Sequence, residues 1–139
     1  MVRTLIFDPF SGASGDMILG ALIDVGVPMA VLQKAVSQVG IKGVRIASSE
    51  AASGAIRGKR VHVEESGDQP SRDWRTIREL LERSALVEEV RQAALAVFAA
   101  LAEAEAEAHG EPVERVHFHE VGAVDAITDI VGACAGFAW

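Results

Sequence analysis

The stretch VHFHEVGAVDAITDIVG, residues 116–132, sets His117, His119 and Glu120 within four positions and follows them with two acids, Asp125 and Asp129. In extended chain successive side chains alternate faces, so His117 and His119 point one way and Glu120 the other. After Gly122 the residues other than the two acids are Ala, Val, Ile, Thr and Gly. That pattern predicts a largely buried helix, with Asp125 and Asp129 one turn apart on one face. A solvated face ordinarily mixes signs, yet no Lys or Arg occurs from Val116 to the end of the chain. Two imidazoles and two carboxylates could converge on one cation. Imidazole suits nickel, zinc, copper and iron, carboxylate suits magnesium and manganese, and the mixed set leaves the metal open. The plainer alternative is that the histidines bond backbone carbonyls and organise the loop before the helix.

Upstream, AEAEAEAHGEP ends a long helix at about His109, with Gly110 and Pro112 as stop signals. Its expected start is a Ser84 cap, with Glu88 and Glu89 in the first turns and Leu86, Val90, Val97 and Leu101 nearly in heptad register. Asp73 is expected to cap the helix WRTIRELLERS, and SGDQPSRD before it reads as a loop without apolar residues. Two strands, about residues 43–50 and 55–65, suggest a hairpin through Ala52–Gly54. MILGALIDVG and residues 28–38 read as helices, and TLIFD, residues 4–8, as a buried strand. The order β-α-α-β-β-α-α, then HFHE and a last helix, predicts an α/β domain over residues 1–139, with α+β as the variant. It is expected to hold a mixed sheet of about three to four strands packed by several helices.

Half of the 139 residues are hydrophobic and 24% are charged, as in a packed domain. A net charge of -7 offers no basic stripe for a phosphate backbone, which argues against nucleic acid as a partner. The lone Cys134 excludes an internal disulfide and fits a reducing compartment. Asp8 and Pro9 break the first apolar run, so it is no signal peptide, and no run approaches the ~18 residues of a membrane span. A soluble, cytoplasmic protein is expected. The final GACAGFAW leaves Phe137 and Trp139 without polar neighbours, so that end is expected to pack, to self-associate into an oligomer, or to belong to a longer protein.

FDPFSGASGDM has the strand-loop-helix layout in which free backbone N–H groups hold an anion, although neither a GK[ST] nor a GxGxxG pattern is present. Ser11, Gly12, Ser14 and Gly15 are the candidates for such contacts, with a tight turn capped by Ser14 as the alternative. Asp8 and Asp16 flank the loop and strengthen the functional reading. Gly132 and Gly136 favour close helix packing, and Cys134 reads as a small buried thiol.

FDPFSGASGDMILGALIDVGV and HGEPVERVHFHEVGAVDAITDIVGA together resemble the LarC family of nickel-insertion proteins, including the spacing between them. The resemblance implies the N-terminal portion of a longer protein whose C-terminal part is missing here. It implies a lyase-class, CTP-dependent insertion of nickel into pyridinium-3,5-bisthiocarboxylic acid mononucleotide, giving the nickel-pincer cofactor of lactate racemase. CTP and its divalent metal are then expected in the C-terminal part. By position, His117, His119, Asp125 and Asp129 are the expected nickel ligands and Asp8, Asp16 and Glu120 the expected catalytic groups. Ser11, Gly12, Ser14 and Gly15 are expected to hold the organic ligand. Two rivals stay open. One is a metal-dependent hydrolase built on Asp8, Asp16, His117 and His119. The other is a non-catalytic metal-delivery or assembly module.

Overall fold

A computed structural model describes residues 4–118 and 122–139. The elements run α1 (Gly15–Asp24), α2 (Met29–Val39), β1 (Val44–Ser53), β2 (Ile56–Glu65), α3 (Trp74–Glu82), α4 (Glu88–His109), a 3-10 turn (Val113–Arg115) and α5 (Val124–Ala138). The α/β class stands, but among the described residues the sheet has two strands rather than three or four and is antiparallel rather than mixed.

β1 and β2 pair from Val44 opposite Glu65 to Ser53 opposite Ile56. The loop is therefore Gly54-Ala55, one residue past the expected turn, and Gly54 takes a φ of 60° at its first position. A two-residue loop with Gly first is the II′ kind, whose twist matches the strands it joins. Ile46 and Val61 point inward from the hairpin, beneath α1 and α2. A Cβ on Gly20 would overlap the Lys59 carbonyl, so α1 lies directly on the backbone of β2.

α5 is packed by α1, α2 and α4. Gly132 and Gly136 on α5 receive the side chains of Leu19 and Leu22 from α1, the close packing that their four-residue spacing suggested. α3, α4 and α5 enclose a second core around Ile77, Leu81, Phe98, Ile127 and Val131. The two cores meet at Val31 of α2.

Three local expectations change. Residues 4–8 form no strand, and Leu5, Ile6 and Phe7 are exposed, because among the described residues no neighbouring strand pairs with them. The Ser84 hydroxyl donates to the Leu81 carbonyl at 2.6 Å, closing α3 instead of capping α4, which starts at Glu88 behind Val87. The buried stripe of α4 is Val90, Ala94, Phe98, Ala102 and Ala106, spaced by four, while Val97 is exposed. Alanines let α4 approach its neighbours closely, and a search for large apolar residues passes them over. Asp73 does cap α3, accepting from the Thr76 N–H at 2.7 Å.

Candidate functional site

The loop before α1 turns tightly, with the Gly12 N–H donating to the Pro9 carbonyl at 2.9 Å and Gly12 at φ 85°. Ser14 stands at the N-cap of α1, but its hydroxyl donates to the Asp16 carboxylate and caps no backbone N–H. Gly15 serves a different need from Gly12. A Cβ there would overlap the carboxylate of Asp129, so the first turn of α1 and the middle of α5 can touch only because this residue has no side chain.

Asp129 is the centre of the arrangement. Its Oδ1 is shut off from solvent and has no hydrogen-bond partner among the described residues. Its other oxygen, Oδ2, lies against Gly15 in the first turn of α1, and the residue as a whole is half-buried. Burial pushes its carboxyl up to about 6, the charges of Asp16 and Asp125 push the same way, and the Asp16 backbone N–H opposes them. Asp125, one turn earlier on α5, is exposed and accepts from the Ala126 N–H at 2.8 Å. None of the three acids forms an ion pair among the described residues. The structure thus gathers Asp16, Asp125 and Asp129 from two distant segments into one uncompensated cluster.

The segment before α5 lies along the start of α3. The Trp74 N–H donates to the Val116 carbonyl at 3.4 Å, the Ser71 hydroxyl to the Phe118 carbonyl at 3.2 Å, and the Arg72 N–H to the Gly122 carbonyl at 3.0 Å. Val116 and Phe118 are buried and His117 is exposed, the alternation of extended chain. His117 faces Asp73, whose carboxyl is held below the usual range first by Thr76 and also by that imidazole. Gly122 is required because a Cβ would run into the Arg72 carbonyl. His119 and Glu120 lie outside the described residues. Among the described residues no three His, Cys, Asp or Glu side chains are arranged to hold a metal ion.

Asp8, Ser11 and Gly12 line a shallow hollow of about 280 Å³ with Phe7, Phe10 and Met17. No hydrogen bond or ion pair joins the Asp8 side chain to the acid cluster. Sequence reasoning missed a cleft of about 450 Å³ between α1, α4 and α5, walled by Ile18, Val97 and Phe137 with Asp129 and Glu89 at its edge. Glu89 had served only as a first-turn acid, and nothing local in the sequence ties it to Asp129. Cys134 also borders this cleft, and burial raises its thiol above the usual value, as an inert core cysteine requires.

The family model described as nickel insertion protein matches residues 5–139. A Thermomicrobium roseum protein, provisionally named for nickel insertion, is 50% identical over 98% of this chain and 34% of its own length. Proteins named pyridinium-3,5-bisthiocarboxylic acid mononucleotide nickel insertion protein match similarly. The one from Nocardioides sp. is 48% identical over 98% of this chain and 35% of its own, and the one from Desulfitobacterium hafniense strain DCB-2 is 40% identical over 98% and 34%. The chain therefore spans about a third of the length of the curated relatives it matches. No solved structure matches it.

Proposed function

The chain belongs to the nickel insertion protein family, and from that premise we propose that it forms the nickel-handling end of an insertase acting on pyridinium-3,5-bisthiocarboxylic acid mononucleotide. The observation that carries this reading is the uncompensated cluster of Asp16, Asp125 and Asp129, with one carboxyl oxygen buried and unpartnered. The three acids do not by themselves form a metal site, but a carboxylate held beside two other negative charges gains from a divalent cation that further ligands complete. Oxygen ligands also hold nickel more loosely than thiolates, which suits a cargo that must be released. His117, His119 and Glu120, from the segment leading into α5, are assigned as the remaining ligands and proton carriers.

The three acids bear on where the organic ligand goes. Phosphate at the first turn of α1 would face like charge, so its contacts are assigned to Ser11 and Gly12, with Ser14 and Gly15 shaping the edge of the acid cluster. Phe10 at the rim of the 280 Å³ hollow offers an aromatic face to a pyridinium ring. Asp8, in the same hollow, is assigned to that ligand rather than to the metal. CTP and its divalent metal are assigned to the part of the family members that this chain does not span, and lactate racemase to the pathway's consumer. A cytoplasmic setting follows from that role. No helix of the described residues is long and apolar enough to cross a membrane.

Calorimetric titration of the chain with Ni²⁺, with and without the mononucleotide, tests the proposal. Nickel should bind weakly at pH 7.5 and tighten with the mononucleotide. Affinity should fall at least tenfold in Asp129→Asn, and in the parent as pH drops through about 6, where Asp129 takes up its proton. Parent-like isotherms in Asp129→Asn and in the double variant His117→Ala with His119→Ala would overturn the site.

A further inference from the structure

Residues 4–8 run beside the ends of α1 and α5 outside any helix or strand, and no strand lies next to them among the described residues. Among the described residues their backbone groups make one bond, from the Phe10 N–H to the Asp8 carbonyl at 3.0 Å. The side chains nevertheless alternate, as in a strand with one face against the protein and the other open. Leu5 and Phe7 are 46% and 40% exposed, whereas Ile6 between them is 82% exposed. Leu5 lines a hollow of about 560 Å³ with Val25, Val27 and Trp139. Phe7 meets Phe137 edge-on, with ring centroids 5.8 Å apart. No charged residue lines that hollow.

An apolar segment with open N–H and C=O groups is a template for strand addition. Two copies of this chain pairing edge to edge would satisfy five residues of backbone and leave Ile6 uncovered on both, and so short a two-stranded ribbon is marginal in water. The relatives carry about twice as much further chain as they share with this one. We propose that residues 4–8 become a β-strand by pairing with a strand from that further chain, in the same polypeptide, and that an apolar layer from it covers Ile6 and fills the hollow beside Leu5. The proposal rests on family membership and on this surface, and stands or falls independently of the nickel site.

Amide hydrogen exchange decides it. The 139-residue chain is compared with a fusion in which the remainder of the Nocardioides relative follows Trp139. The Leu5–Asp8 amides should exchange at least a hundredfold more slowly in the fusion, and Ile6→Pro should abolish that protection while leaving the amides of α4 slow. Fast exchange at these amides in a fusion whose α4 and α5 are protected overturns the proposal. So does concentration-dependent protection in the 139-residue chain alone, which would make a second copy the occupant. If the fusion fails to fold, the same measurement on the aligned segment of the intact Nocardioides relative decides the matter by the same criterion.

Discussion

Asp129 shows how one side chain ties stability to acidity. Its folded-state value of about 6 lies above the ordinary 3.8, so between those limits the folded chain binds more protons than the unfolded chain. Stability from this group is therefore gained as pH falls from above 6 toward 4, and lost as pH rises again. Because the residue is only half-buried, solvent screening cuts the effect to on the order of 1 kcal/mol at pH 7. Asp129→Asn should raise stability by that amount in urea denaturation at pH 7 without metal, and the gain should vanish by pH 4. A gain of equal size at both pH values would contradict this account. The sequence showed Asp129 as an acid without a local basic partner, and showed Gly15 as part of a loop. It could not show that the absent side chain of one makes room for the carboxylate of the other, because that fit depends on how α1 crosses α5.

At the level of elements, α3 depends on its N-cap, Asp73. Asp73→Ala removes the acceptor for the Thr76 N–H and should cost about 1 kcal/mol at pH 7. The Asp73 carboxyl is held below its usual range, first by Thr76. That stabilisation is present above the unfolded value near 4 and disappears as pH falls through the lower folded one, so parent and variant should converge in strong acid. Chemical denaturation at pH 7 and pH 2.5 measures both ends. Helices with a strong apolar stripe or a side-chain cap, such as α2 and α3, were legible because their signals are local. The first strand was misread because a strand is completed by a neighbour, and residues 4–8 have none among the described residues. The loop at residues 66–73 reads from its sequence only as a polar connection, yet its Ser71 and Arg72 hold the segment around His117 through bonds no local pattern announces.

Across the whole molecule, α1 joins the hairpin to the helices, with Gly20 against the backbone of β2 on one side and Leu19 and Leu22 against α5 on the other. Gly20→Ala must push a backbone carbonyl aside and should cost about 1–3 kcal/mol. Gly58→Ala on the same strand meets nothing nearby and should stay within about 0.5 kcal/mol of the parent. Urea midpoints of the two variants make the comparison, and equal shifts would refute the close approach. The seating of Leu19 and Leu22 between the glycines of α5 has a consequence for biosynthesis. Leu19 and Gly136 lie 117 positions apart. At ribosomal speeds of roughly 5–20 residues per second, α1 waits about 6–23 s before the helix that covers its outer flank has been made. The hairpin emerges well before then and can shelter only one side. A nascent chain of this protein therefore carries a half-covered apolar helix until α5 has been translated, which is a period in which a ribosome-associated chaperone has a surface to hold.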